Sequence, residues 1–236
     1  VPTVQKLVSR LSAAGLLRSS RGIGGGLKLA RPDLTVLVTG GDGDGFSIGG
    51  NHFLHACRRN VDLTYIVMDN QIYGLTKGQL SPTSPRGLKT VSSYVGSIED
   101  PVNPIQYVLG YGARFVAQGT PADMAGLAQT IEAGIRYPGF AFINVQSPCV
   151  TFGQAEWQLK AHKASLQKLD ALGHDSTNRL EAMRLAAAYG RELYTGIFYQ
   201  DPEPTPTFED GAAERQRALA PSARSRADVL QSLVPH

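Results

Sequence analysis

Two polar side chains stand directly after apolar segments of the chain, where they could hold a metal ion. Asp42 lies in the glycine-rich run Gly40–Gly45 (GGDGDG), which follows the apolar segment Thr35–Thr39. Asn70 follows the next apolar segment and lies 28 positions after Asp42. Carboxylate and carbonyl oxygens are the ligands that Mg²⁺ prefers, and the main-chain carbonyl of Ile72 could supply a third oxygen. The pattern therefore indicates a candidate Mg²⁺ site.

The glycine-rich run is also suited to binding phosphate. Glycines allow the backbone to turn tightly and to approach a ligand closely. The N-terminus of the helix that follows offers unpaired N–H groups to an anion. The Asp42 carboxylate alone would repel a diphosphate, and a divalent cation between the two groups removes that repulsion. The alternative interpretation is a pair of ordinary turns, because Gly and Asp are common after strands.

The elements that must position these residues alternate along the chain. Short, apolar, β-branched segments predict strands, and the segments between them have helical periodicity. Alternation without hairpin turns implies right-handed crossovers and an α/β fold, a parallel sheet flanked by helices on both faces. Ligands of such sheets bind at the carboxyl ends of the strands. The predicted strands are 35–39, 63–68, 114–117 and 140–145, and the predicted helices are 46–59, 105–111 and 121–135.

The chain changes character after Pro148. Residues 154–172 and 178–191 are more polar and have helical periodicity, whereas Asp201–Thr207 (DPEPTPT) is a proline-rich linker that cannot be helical. We therefore predict a C-terminal helical extension and tail over 153–236. It would follow a metal- and diphosphate-binding domain at 32–152 and an N-terminal segment at 1–31.

The composition excludes several classes of protein. The 236 residues are 42% hydrophobic and 18% charged, which suits a soluble globular domain with a buried core. No stretch approaches the roughly 20 apolar residues that span a bilayer. A net charge of +3 is too small to argue for nucleic acid. The two cysteines, Cys57 and Cys149, form no CxxC pair, so we expect the reducing cytoplasm.

The GDG run followed by Asn70, with a strand before each, resembles the signature of thiamine-diphosphate enzymes. The resemblance implies that Asp42, the Asn70 side chain and the Ile72 carbonyl bind Mg²⁺, which in turn holds the diphosphate of the cofactor. It also implies that the other residues of the run shape the diphosphate loop. These residues are Gly41, Gly43, Asp44 and Gly45. The fold implied is the diphosphate-binding type of thiamine-diphosphate domain.

Two longer blocks narrow the resemblance to one family. The block from Gly40 to Ser84 and the later Ser147–Phe152 (SPCVTF) closely resemble the β subunits of bacterial 2-oxoacid:ferredoxin oxidoreductases. These enzymes convert a 2-oxoacid, such as pyruvate or 2-oxoglutarate, and coenzyme A to an acyl-CoA and pass electrons to ferredoxin. The aminopyrimidine half of the cofactor site comes from another domain, so we expect a heterodimer with an α subunit. The choice of 2-oxoacid stays open.

The loop Tyr73–Gln79 (YGLTKGQ) would lie over the thiazolium ring of the cofactor in that family. Leu75 would then belong to the cofactor-binding residues. Thr76 could donate a hydrogen bond, and Lys77 could attract the substrate carboxylate, so both are candidate catalytic residues. The alternative for Lys77 is a solvated loop charge.

Many members of the family bind a four-iron cluster, and Cys149 matches the last of its four cysteine ligands. The other three ligands do not occur at matching positions in this sequence, and such clusters need four. Cys57 lies within a predicted helix and fits a small buried hydrophobic residue. His52 and His55, on the same helix, fit packing or surface positions. We therefore predict an incomplete iron–sulfur site.

The N-terminal segment Val1–Arg31 resembles the recognition helix and wing of winged-helix repressors. Arg18–Arg21 and Gly22–Gly26 predict a basic hairpin with a glycine tip, which could contact phosphate together with Lys28. We interpret the segment as a junction and do not expect nucleic-acid binding. The alternative is a divergent N-terminal helix and loop of the oxidoreductase subunit. The rival functions are a non-redox thiamine-diphosphate decarboxylase or synthase subunit and a DNA-binding regulator.

Overall fold

The computed structural model describes residues 24–152 and 159–219, which form a mixed sheet flanked by helices. The strands are β1 Leu37–Gly41, β2 Thr64–Asp69, β3 Ile72–Tyr73, β4 Gln79–Leu80, β5 Phe115–Gly119, β6 Ala141–Gln146, β7 Leu166–Lys168 and β8 Leu193–Gln200. The helices are α1 Gly24–Ala30, α2 Gly50–Arg58, α3 Pro104–Gly110, α4 Met124–Arg136, α5 Leu159–Ser165, α6 Arg179–Ala186 and α7 Phe208–Leu219. A π-helical turn, Asp44–Ile48, precedes α2.

The main sheet has the strand order β1-β2-β6-β5-β8-β7. The first four strands are parallel, β8 is antiparallel to β5, and β7 is parallel to β8. Every residue of β5 and β6 is buried. This is the burial expected of strands with helices on both faces, so the predicted α/β class is confirmed.

Successive residues of a strand face opposite sides of the sheet, and here they feed two separate cores. Phe142 packs on one face against Phe53, with ring centroids 5.4 Å apart, and Phe53 also contacts Phe46 at 5.8 Å. Ile143 packs on the other face, in a largely aliphatic cluster that includes Ile131 of α4. The aromatic core therefore packs under the π-helical turn and α2, which follow β1, and it fixes the position where α2 begins.

Apart from the helix 46–59, the predicted elements of the central domain agree with the structure to within three residues at their starts. The predicted helix 121–135 begins later, at Met124, because the Asp123 side chain accepts a hydrogen bond from the Gly126 N–H at 3.2 Å and caps the helix there. The predicted helix 46–59 is divided, since Asp44–Ile48 forms the π-helical turn and α2 begins only at Gly50. No helix within the described residues is long and apolar enough to cross a membrane.

The predicted helical character of the C-terminal extension is wrong over two segments. Leu166–Lys168 is a strand, although it lies inside the predicted helix 154–172, and Leu193–Gln200 is an eight-residue strand that joins the sheet beside β5. Its apolar alternation is interrupted at Gly196, which has φ +113° and lies next to an irregularity in the pairing with β5. Residues 154–158 of the predicted helix lie outside the described residues. The predicted helix 178–191 is shorter, ending at Ala186, and the proline-rich linker is non-helical as predicted.

The described part of the N-terminal segment is a helix, and the predicted glycine-tipped hairpin is wrong from Gly24 onward. Lys28 is only 6% exposed, so it is not a surface residue for phosphate. Its Nζ donates to the carbonyls of Pro32 and Leu34 at 3.0 and 2.9 Å and pairs with Asp62 at 2.6 Å. Arg18 and Arg21 lie outside the described residues. The contacts of Lys28 favour the alternative in which this helix belongs to the α/β domain.

Candidate functional site

The structure brings Asp42 and Asn70 together at one edge of the sheet. β1 and β2 are neighbours, with Gly41 paired to Met68, so the residues that follow the two strands emerge side by side. Burial raises the pKa of Asp42, and the nearby main chain of Asn70 is among the groups that oppose the rise. The two halves of the motif therefore meet in space as the sequence predicts.

The Asp42 side chain is buried, with an exposed fraction of 2%, and it faces hydroxyl groups. Its Oδ2 accepts a hydrogen bond from Ser81 Oγ at 2.5 Å and another from Thr83 Oγ1 at 2.7 Å. Both donors come from the short loop that follows β4. This loop places polar oxygens where the first two strands end.

A second carboxylate, Asp69 at the end of β2, lies in the same network and is fully buried. Thr83 Oγ1 is 2.9 Å from Asp69 Oδ1 as well as 2.7 Å from Asp42 Oδ2. Asp69 Oδ2 accepts from the Tyr189 hydroxyl at 2.6 Å and from Asn144 Nδ2 at 3.2 Å. Thr83 has one hydroxyl proton to share between two carboxylate oxygens. The pair therefore requires a further proton or a cation.

The electrostatics of the pair lead to the same requirement. Burial and, after it, repulsion from Asp42 raise the pKa of Asp69 to about 7, against the opposing effect of the hydrogen bonds from Tyr189, Thr83 and Asn144. Burial also raises the pKa of Asp42. Across the described parts of the chain, neither carboxylate forms an ion pair with Lys or Arg. An unpaired buried charge is costly, so a bound cation would stabilise the two carboxylates. The groups present are oxygen ligands, which are the kind that Mg²⁺ binds.

The glycine-rich run has one closed and one open side. A Cβ on Gly43 would lie 2.1 Å from Tyr73 Cε1, and the Tyr73 hydroxyl donates to the Gly43 carbonyl at 3.2 Å. A Cβ on Gly41 would meet no atom within 4 Å, so space for a ligand is open beside it. Asp44 and Gly45 begin the π-helical turn, where the Asp44 carbonyl accepts from the Gly49 N–H at 2.8 Å. The run therefore offers its backbone to a ligand on the Gly41 side.

Asn70 is held by a local turn that leads into the β3–β4 hairpin. Its Oδ1 accepts the Ile72 N–H at 3.0 Å. The residue between them, Gln71, has φ +59°, a left-handed conformation that is uncommon for a residue other than glycine. Ser84 Oγ donates to the Gln71 carbonyl at 2.6 Å and supports this conformation. The side-chain oxygen of Asn70 and the main chain of Ile72 therefore share one rigid turn.

The residues predicted to contact the reacting groups project away from the protein. Leu75 is 99% exposed, and Thr76 and Lys77 are also exposed. Lys77 has φ +71° and is followed by Gly78 with φ +97°, which closes the hairpin tip. The structure does not bring these three side chains into the Asp42 network. Their predicted roles need a bound cofactor or a partner surface on the outer side of the loop.

Cys149 lies near that loop, in the block that follows β6. Its Sγ accepts the Phe152 N–H at 3.4 Å, and the Phe152 ring packs on Gly78, where a Cβ would be 3.2 Å from Phe152 Cδ1. Cys57 is buried, and burial raises the pKa of its thiol to about 12. Over residues 24–152 and 159–219, no group of three or more His, Cys, Asp or Glu side chains could hold a metal. His52 and His55 are exposed.

Sequence reasoning missed several members of the network. Ser81 and Thr83 lie inside the block that carries the resemblance, and Asp69 directly precedes Asn70, so their positions in the sequence indicate that they could belong to the site. Asn144 follows apolar residues of β6 and could have been found as a polar residue inside a buried strand. Tyr189 lies 120 residues after Asp69 and carries no sequence signal for this contact.

The fold and the site define a class: an α/β domain with a glycine-rich run and buried oxygen groups at the carboxyl ends of parallel strands, which is where such sheets bind their ligands. Residues 12–145 match the family model described as the thiamine pyrophosphate enzyme, C-terminal TPP binding domain. Residues 149–216 match the model for the C-terminal region of the pyruvate ferredoxin oxidoreductase beta subunit. The first match includes part of the segment that resembles a winged helix.

Individual relatives agree with the family models. The 2-oxoglutarate synthase subunit KorB of Methanocaldococcus jannaschii is 50% identical over 127 residues, which are 54% of this chain and 47% of that protein. The 2-oxoacid:ferredoxin oxidoreductase subunit beta of a Sulfolobus species is 40% identical over 210 residues, 84% of this chain and 66% of that protein. The chain thus spans about half to two thirds of the length of these relatives.

A solved structure matches the fold over most of the chain. It is the 2-oxoglutarate:ferredoxin oxidoreductase from Magnetococcus marinus with 2-oxoglutarate, coenzyme A and succinyl-CoA bound. The identity is 36% and the TM-score 0.81, over 90% of this chain and 72% of that one. The chain belongs to the β subunits of the 2-oxoacid:ferredoxin oxidoreductase family of thiamine pyrophosphate enzymes.

Proposed function

We propose that this chain binds thiamine diphosphate through Mg²⁺ and, with an α subunit, oxidatively decarboxylates a 2-oxoacid to its acyl-CoA, passing the electrons to ferredoxin. The observation that carries the proposal is the meeting of Asp42 and Asn70 at the ends of neighbouring parallel strands, beside an uncompensated pair of buried carboxylates. Relatives named as 2-oxoglutarate synthase and 2-oxoacid:ferredoxin oxidoreductase subunits support the reaction class.

Different residues of the site would bind the metal ion and the diphosphate of the cofactor. Asp42, Asn70 Oδ1 and the Ile72 carbonyl would supply oxygen ligands to Mg²⁺, and the open backbone beside Gly41 would receive the diphosphate. The π-helical turn that follows Gly43 begins without a side-chain cap, so its first N–H groups could face an anion beside the glycine-rich run. When bound, thiamine diphosphate supplies the carbon–carbon cleavage chemistry, and the protein orients it.

The exposed hairpin tip would act on the substrate side. Lys77 would attract the carboxylate of the 2-oxoacid, and Thr76 would donate a hydrogen bond, once a partner surface covers the loop. Lys77→Asn removes the positive charge but keeps the backbone conformation, because Asn tolerates the left-handed conformation that Lys77 adopts. We expect this variant to raise the KM for the 2-oxoacid and to leave thiamine-diphosphate affinity unchanged.

The reaction class is tested with the chain co-expressed with an α subunit. We expect reduction of a viologen dye that depends on both a 2-oxoacid and coenzyme A, with 2-oxoglutarate and pyruvate compared as substrates. Asp42→Ala in the same complex should abolish it. Decarboxylation without coenzyme A and without dye reduction would instead support the non-redox thiamine-diphosphate alternative.

A further inference from the structure

Tyr189 connects the C-terminal region to the turn that carries the proposed metal ligands. Its hydroxyl donates to Asp69 Oδ2 at 2.6 Å and accepts from Gln71 Nε2 at 3.4 Å. Asp69 and Gln71 are the two neighbours of Asn70 along the chain. One hydroxyl group therefore holds both sides of the residue whose side-chain oxygen is proposed to bind Mg²⁺.

The element that presents Tyr189 is itself fixed to the domain. Tyr189 follows α6, and its N–H donates to the Ala186 carbonyl at 3.0 Å. The Ala186 carbonyl also accepts from Asn103 Nδ2 at 2.7 Å, and Gln106 Nε2 donates to the Met183 carbonyl at 3.2 Å. These side chains lie at the start of α3. The tyrosine hydroxyl is therefore delivered from a packed helix pair rather than from a free loop.

The turn needs such support because its backbone is strained. Gln71 has φ +59°, and a conformation of this kind persists in a residue other than glycine when surrounding contacts determine it. Ser84 holds the Gln71 carbonyl, and Tyr189 holds the Gln71 side chain. Without the tyrosine hydroxyl, Asp69 Oδ2 would retain only the longer contact from Asn144 at 3.2 Å.

We propose that Tyr189 is a positioning residue for the metal site: it fixes the Asp69–Ile72 turn so that Asn70 Oδ1 and the Ile72 carbonyl face the cation together. This inference rests on the proposed Mg²⁺ site. It assigns to the region that matches the pyruvate ferredoxin oxidoreductase beta C-terminal model a part in cofactor binding. Tyr189 would touch neither the cofactor nor the substrate.

The test compares two tyrosine-to-phenylalanine substitutions in the full chain. Tyr189→Phe keeps the ring and removes the hydroxyl. Tyr137→Phe is the matched control, because the buried Tyr137 hydroxyl has no hydrogen-bond partner among the described residues. Mg²⁺ is titrated calorimetrically at saturating thiamine diphosphate, and thermal unfolding is followed with chelator present. We expect Tyr189→Phe to weaken Mg²⁺ binding by about ten- to a hundredfold and Tyr137→Phe to leave it unchanged.

A rescue experiment separates positioning from folding. Excess Mg²⁺ should restore thiamine-diphosphate binding in Tyr189→Phe, because its ligands are displaced but present, whereas Asp42→Ala should not recover. Should Tyr189→Phe not fold, Gln71→Met keeps the Tyr189–Asp69 contact, and we expect at least threefold weaker Mg²⁺ binding. Unchanged Mg²⁺ affinity in these variants overturns the inference alone. A wild-type chain that binds thiamine diphosphate equally with and without chelator overturns the metal-bridge part of the proposed function as well.

Discussion

Two pairs of strands end along the same edge of the sheet but carry different polar groups. The carboxyl ends of β1 and β2 carry acids, and those of β5 and β6 carry neutral amides. The first pair ends in two buried acids, Asp42 and Asp69, which share one hydroxyl donor. The second pair carries buried neutral amides, of which Gln118 Oε1 accepts from Asn144 Nδ2 at 3.0 Å and from Gln146 Nε2 at 3.1 Å. One end is short of positive charge, whereas the amide donors of the other have acceptors, although Asn144 Oδ1 accepts no hydrogen bond from the described residues.

This difference indicates where a ligand is needed. A neutral amide network can be buried without a ligand when its donors have acceptors. Two buried carboxylates cannot both stay charged without a counterion, so the β1–β2 end gains most from a cation. The two ends should therefore respond in opposite ways to substitution, in cofactor binding at the first and in stability at the second.

The largest effect is expected for Asp42→Asn. The substitution removes the charged ligand, so Mg²⁺-dependent thiamine-diphosphate binding should weaken by about a thousandfold or more, which is roughly 4 kcal/mol. Stability with chelator present should not fall, because a buried charge with raised pKa is also removed. Calorimetric titration and urea unfolding measure the two quantities. Retained Mg²⁺-dependent binding in this variant would remove the contrast between the ends.

The β1–β2 end was readable from the sequence because its signal is local. A buried strand, a glycine-rich run and a carboxylate occur together at Gly40–Gly45, and the spacing to Asn70 equals one helix and one strand. Because β1 and β2 pair in parallel, Asp42 and Asn70, which follow these strands, then lie close together. The four parallel strands were predicted for a similar reason, since each contains a short run of apolar, mostly buried residues.

Contacts between distant segments were not readable in this way. Tyr189 reaches Asp69 from 120 residues further along the chain, and nothing in its local sequence indicates that partner. β8 was missed because Gly196 interrupts its alternation and because it pairs antiparallel with β5, unlike the strands before it. The exposed hairpin tip with Lys77 is a further case that the local sequence does not decide, because its proposed role requires a bound cofactor or a partner surface.

At the carboxyl ends of β5 and β6, where the polar groups are neutral amides, we expect His162 to make stability depend on pH. Its Nδ1 lies 3.1 Å from Thr120 Oγ1, just beyond β5, and burial lowers its pKa from 6.5 to about 4. The folded chain therefore takes up this proton less readily than the unfolded chain. Stability present above pH 6.5 is lost as the pH falls toward 4, by up to about 3 kcal/mol. Urea unfolding at pH 7 and 4.5 measures the loss, and His162→Gln should reduce it. An equally steep acid loss in that variant would exclude His162 as the cause.

The smallest expected effect is that of Gln118→Leu, which tests whether the neutral end is independent of the site. The leucine leaves the Asn144 and Gln146 amide donors without their shared acceptor, and it removes the donor to the Tyr194 carbonyl at 2.7 Å. Unsatisfied buried donors of this kind cost about 2 kcal/mol of stability. Mg²⁺ affinity should change by less than about threefold, because Asn144 keeps its contact with Asp69 and the acids keep their hydroxyl donors. If Gln118→Leu weakened Mg²⁺ binding as strongly as Asp42→Asn does, the amides would form part of the cofactor site, and the division between the two ends would be wrong.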